Sequence, residues 1–147
     1  MIELERLRVR ADRRGRLEEL YRTGPRRPRV EEVYRITFRR SAIRGGHFHR
    51  RKHEFVLILR GTLECTLYRP RGDVLERVRL GPRSGLLHVP PGVGHQFRNI
   101  GSAPAQALVL ATVRYDVARP DKVPARPFVS GRIGRLSNPQ RGGLRKG

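Results

Sequence analysis

The 147 residues contain one cysteine, one methionine and no tryptophan. A lone Cys65 cannot close an internal disulfide, so a disulfide-stapled scaffold is excluded. It sits in the alternation LECTL, where a small buried apolar residue belongs. No apolar run approaches the roughly 18 residues that suggest a membrane helix. Residues 1–20 alternate charged and apolar types and lack the continuous apolar core of a secretory signal. These absences lead us to expect a cytoplasmic protein with no membrane segment. Lysine is also scarce. Of 33 basic residues only Lys52, Lys122 and Lys146 are lysine, and only 13 acids oppose them, for a net charge of +20. A GC-rich genome produces such an arginine bias without selection on function. The charge is spread along the chain, +5 over residues 1–30, +8 over 31–118 and +7 over 119–147. A nucleic-acid binder concentrates its charge and interleaves exposed aromatics or a known motif. Four Tyr, five Phe and no such motif argue against nucleic acid as the main partner. A small anionic substrate, or simply a basic surface, suits the charge better.

A long amphipathic helical pattern is missing as well. Short apolar alternations recur instead, punctuated by 16 Gly and 11 Pro. VEEVYRITF (30–38), EFVLILRG (54–61), TLECTLYRP (62–70), VLERVRL (74–80), LLHV (86–89), HQFRNI (95–100) and QALVLATVRY (106–115) read as strands. IELERLRV suggests a further strand near the start, while RLEELY suits a short strand or a helical turn. The pattern predicts an all-β sandwich or barrel. It fades after Asp116, and we expect one domain over residues 1–118 with an extended, flexible basic tail over 119–147.

The stretch RGGHFHRRKHEFVLILRG (44–61) carries the chemistry. In a strand His47 and His49 share a face. Glu54 has the wrong parity for the same strand, so a bend in RRKH is needed to bring it round. His95 follows the turn PPGVG. Three imidazoles and a carboxylate suit a divalent metal such as Zn, Mn, Fe or Ni and leave positions open for substrate. His88, in the apolar LLHVP, either points into the barrel beside these residues or packs in the core. His53 fits no ligand position.

Two segments resemble the paired motifs of the cupins. His47, His49, Glu54 and Gly61 fit the first, within residues 47–61. Pro90, Gly92, His95 and Asn99 fit the second, within residues 85–99. The glycine usual six residues before the first His is replaced by Ser41. The resemblance implies a double-stranded β-helix (jelly-roll) barrel with a short N-terminal β extension, and a divalent metal held by His47, His49, Glu54 and His95.

The flanks narrow the resemblance. Asp12, Arg14, Gly15, Leu17 and Glu19, followed by Arg44, Gly45, His47 and His49, are similar to cupins that act on nucleotide-linked 4-keto sugars. The layout resembles above all the C-terminal cupin domain of bifunctional capsular-polysaccharide enzymes. An isomerase or epimerase is implied, with His47, His49 or His88 in acid–base work and Arg44 gripping the anionic substrate. A ketone acidifies its neighbouring C–H, so a base and a stabilised enolate oxygen suffice. The catalytic tyrosine of the epimerases has no clear match, with Tyr68 and Tyr115 as candidates. Two other readings stand beside this one, a metal-dependent cupin oxygenase and a non-catalytic cupin that binds a sugar or metal. A homodimer through sheet edges is expected in each case.

Overall fold

A computed structural model describes residues 2–128, and the expected flexible tail beyond them lies outside the described residues. Twelve strands and no helix occur among these residues. They are β1 (Glu3–Glu5), β2 (Arg8–Asp12), β3 (Gly15–Glu19), β4 (Glu32–Phe38), β5 (Ile43–His49), β6 (Glu54–Arg60), β7 (Leu63–Tyr68), β8 (Val74–Leu80), β9 (Leu86–Val89), β10 (Gly94–Asn99), β11 (Ala105–Ala111) and β12 (Lys122–Pro124). One five-stranded sheet has the order β1-β9-β6-β11-β4 and the other β12-β5-β10-β7-β8, while β2 and β3 form a separate hairpin. RLEELY, ambiguous in sequence, is thus mostly strand.

The period-2 pattern places the core. Val56 and Ile58 of β6, Ala107 and Val109 of β11, and Leu87 and Val89 of β9 face Leu63, Cys65 and Leu67 of β7 and Phe97 of β10. Cys65 is fully buried, as its alternation predicts. A second, smaller cluster of Phe55, Leu57, Leu86 and Leu110 lies on the other face of the first sheet. Leu7, Leu20, Tyr21 and Val30 from the N-terminal segment cover it.

Two features matter for the site, and the first departs from the sequence reading. The expected boundary at 118 is not where the barrel ends, because Lys122, Val123 and Pro124 pair with His49, Phe48 and His47. Three prolines hid this strand, yet an edge strand needs only part of its N–H groups. The bend expected in RRKH is present at Arg50 and Arg51, where it joins two strands. Residues 50–53 cross from β5 in one sheet to β6 in the other, so Glu54 faces the histidines from the opposite wall.

Candidate active site

Local backbone geometry sets the histidines. Gly45 and Gly46 have φ of 95° and 76°, a region L-residues rarely adopt. They form a bulge in which Gln96 pairs with Gly45 and His95 with His47. A Cβ on Gly45 would stand 2.6 Å from the His95 carbonyl oxygen. The bulge sets His47 directly across from His95, with ring centroids 4.7 Å apart, and His49 is 5.0 Å from His47. One ring nitrogen from each of the three lies within 4.8 Å of the others.

Glu54 closes the group. Its Oε2 is 3.1 Å from His95 Nε2 and its Oε1 is 3.3 Å from His49 Nε2. The Tyr34 hydroxyl donates to Oε1 at 2.7 Å. Burial would raise the Glu54 carboxyl, but the neighbouring imidazoles outweigh it and hold the group well below the usual carboxylate range. Burial and the Glu54 charge push the Tyr34 phenol far up, so it stays a proton donor. Burial lowers His47 to about 4, aided by His95 and His49, leaving a neutral imidazole at neutral pH.

The group lines a cavity of about 540 Å³ together with Arg44, Lys52, Tyr115 and Asp121. Asp121 Oδ2 accepts from the Lys52 and Arg51 amides at 3.0 and 3.3 Å and lies 3.5 Å from His49 Nδ1. Those amides overcome the effect of burial and depress its carboxyl.

The donor set fits a divalent cation on two observations. The His95 Nδ1 lies 3.3 Å from the Val93 carbonyl, which can only accept, so Nδ1 carries the proton. A neutral His95 then turns a bare Nε2 toward the Glu54 carboxylate, and only an added proton or a shared cation makes that contact favourable. His49 is buried, and neither of its ring nitrogens meets hydrogen-bond geometry. Ligands about 2.1 Å from one tetrahedral ion stand about 3.4 Å apart, close to the 3.3 and 3.1 Å between Glu54 and the His49 and His95 rings.

The structure brings together His47, His49, Glu54, His95 and Arg44, and separates His88 from them. His88 pairs across strands with Phe55, whose ring stacks on it at 4.5 Å, on the face opposite Glu54. It does not line the cavity. Its Nε2 is 2.9 Å from His53 Nδ1. Tyr68 is fully buried, its hydroxyl donating to the Ala125 carbonyl at 2.9 Å. Tyr34, Lys52 and Asp121 were missed as site residues. The one signal for Tyr34 was its strand parity with Ile36 and Phe38, which marks an inward face; for Asp121 it was the resemblance of VRYDVARPD (113–121) to the C-terminal cupin domain of capsular-polysaccharide enzymes.

Two antiparallel sheets closed around a histidine-rich interior define a cupin barrel. The family described as Polysaccharide biosynthesis C-terminal domain matches residues 10–123, and the chain belongs to it. No curated protein matches the sequence. Among solved structures, NovW, a 4-keto-6-deoxy sugar epimerase of Streptomyces spheroides, is 26% identical with a TM-score of 0.66 over 77% of this chain. The chain spans 64% of NovW's own length. The QdtA 3,4-ketoisomerase of Thermoanaerobacterium thermosaccharolyticum, a double mutant in complex with TDP, is 26% identical with a TM-score of 0.66, over 83% of this chain and 86% of its own. CapF, a capsular polysaccharide assembling protein from Staphylococcus aureus, shares the fold at 20% identity and a TM-score of 0.62, over 82% of this chain and 32% of its own.

Proposed function

We propose that the chain isomerises or epimerises a nucleotide-linked 4-keto sugar in surface-polysaccharide synthesis. The observation that carries this is three imidazoles and a carboxylate gathered on the wall of one sugar-sized cavity. The similarity to NovW and QdtA supports the substrate class. His47, His49, Glu54 and His95 would hold a divalent metal, which when bound supplies a Lewis acid for the oxygen that gains charge. Arg44, exposed at the cavity wall, grips the diphosphate. Tyr34 holds Glu54 in place through its hydroxyl and so fixes the donor set. In epimerisation a proton leaves the carbon beside the ketone, its electron pair moves to the C4 oxygen, and a proton returns on the other face. In ketoisomerisation the C3 proton is carried to C4 and the C3 hydroxyl proton to the C4 oxygen, so C3 becomes the ketone and C4 the alcohol with no external oxidant.

A second reading has the site working without metal, and one contact favours it. The Tyr34 hydroxyl already binds Glu54, and the neutral His47 ring, in no contact with that carboxylate, lines the cavity as the base. Two measurements decide. Proton NMR in deuterated water with TDP-4-keto-6-deoxyglucose should show deuterium entering at C3 or C5. Elemental analysis should show one divalent ion per chain. Exchange without metal selects the second reading; no exchange, with or without added Zn, Mn, Fe or Ni, rejects the enzyme. The reading includes a homodimer, for which the sheet edges β4 and β8 are available, and gel filtration with light scattering tests it. It also includes a cytoplasmic location, where nucleotide sugars are made, testable by cell fractionation.

A further inference from the structure

Lysine is rare in this chain and its placement is uneven. Two of its three lysines, Lys52 and Lys122, line the cavity, whereas only Arg35, Arg44 and Arg114 do so among 30 arginines. Lys146 lies outside the described residues. Lys52 is the more unusual. It is 6% exposed, in the crossover between the two sheets, and its backbone amide is fixed on the Asp121 carboxylate at 3.0 Å. No hydrogen bond or ion pair meets its ammonium among the described residues. The stem is covered while the ammonium stays open to the cavity with no acidic partner among the described residues, so no ion pair of the fold accounts for a lysine here. A compact ammonium is also not interchangeable with the broad guanidinium used nearly everywhere else in the sequence. The cavity wall is the one place where that charge has a use.

We propose that Lys52 is a catalytic residue whose ammonium donates to the sugar oxygen that becomes negative when the neighbouring carbon loses its proton. This rests on the isomerase or epimerase reading. The step balances: the C–H pair moves toward the C4 oxygen, Lys52 stabilises the enolate by a hydrogen bond, and reprotonation of carbon returns the pair. Lys52 is not consumed and needs no co-reactant. Lys122, whose charge helps lower His47, lies at the same wall without being buried.

The test compares wild type with Lys52→Met and Lys52→Arg. It reads deuterium incorporation into TDP-4-keto-6-deoxyglucose, calorimetric binding of that compound and of TDP alone, and the melting temperature. Lys52→Met should lose about 100-fold or more in kcat, the scale for removing one oxyanion donor. It should bind TDP as wild type does and melt at the same or a higher temperature. Lys52→Arg should recover little. A Lys52→Met chain that keeps its kcat overturns the assignment. So does one that melts lower and no longer binds TDP, since the lysine stem is then structural. If wild type binds the keto sugar without exchange, the enzyme reading falls; the contact survives if Lys52→Met weakens that binding relative to TDP, and falls with it otherwise. A wild type that neither binds nor exchanges overturns both.

Discussion

The chain carries two histidine groups, one inside the barrel and one outside, and they differ in everything but residue type. His47, His49 and His95 meet on the inner face, with Glu54, Tyr34 and Asp121 around them and a cavity in front. His53 and His88 meet on the outer face of the first sheet, 2.9 Å apart, against the Phe55 ring, with Tyr21 packed on the far side of the cluster. His53 precedes Glu54 directly, so adjacency in sequence says nothing about membership. What separates the groups is strand parity: Glu54 pairs with Val89 on the inner face, Phe55 with His88 on the outer. Burial lowers the basicity of His47 in the inner group and of His53 and His88 in the outer. Only the inner group has a carboxylate aimed at its ring nitrogens, which is what a metal or proton relay requires.

The sharpest way to break this contrast is to delete each group in turn. His47→Ala/His95→Ala should lower kcat by about 10²–10⁴, the range for removing acid–base groups, and abolish metal uptake by elemental analysis. Tyr34→Phe removes only the hydrogen bond to Glu54, and should cost about 10–100-fold in metal affinity or activity, read by competition with a chelator and by kcat. pH offers a test on stability. In the metal-free protein the unfolded chain protonates His47 near the ordinary value of 6.5, whereas the folded chain resists until about 4. The unfolded state therefore binds more protons in that window, and stability falls as pH drops through it. His47→Gln should flatten this fall in urea titrations at stepped pH. The outer pair should give the smallest effect. His53→Gln/His88→Gln should leave kcat unchanged and cost about 1 kcal/mol of unfolding free energy through lost ring packing.

Outside either group, Asn99 shows how much was legible in one motif residue. Its side-chain amide donates to the Ala103 carbonyl at 2.9 Å and to those of Phe38 and Arg39, and its oxygen accepts from the Gly101 amide at 3.0 Å. It closes β10. Asn99→Ala should destabilise the fold by about 1–3 kcal/mol by stranding buried carbonyls, with chemical denaturation as the readout.

The barrel was legible because alternation and Gly/Pro punctuation are local signals. At the replaced motif glycine, Ser41 keeps a left-handed backbone with φ of 60°, which the serine itself did not signal. The convergence of His47, His49, Glu54 and His95 came from motif spacing and the bend in RRKH, while the crossing from one sheet to the other at that bend carried no local signal. Parity alone could not place His88, because LLHV is apolar on both faces and the outer face is covered by a distant N-terminal segment. Asp121 escaped for a related reason. It lies in a Pro-rich stretch with no alternation, and only the pairing of Lys122–Pro124 with β5 brings it to His49.

The most direct measurement is deuterium incorporation at C3 or C5 of TDP-4-keto-6-deoxyglucose, run side by side on wild type and the two double variants. We expect exchange in wild type and in His53→Gln/His88→Gln, and none in His47→Ala/His95→Ala. Exchange that survives loss of the inner pair, or disappears with the outer one, would contradict the assignment of the chemistry to the barrel interior.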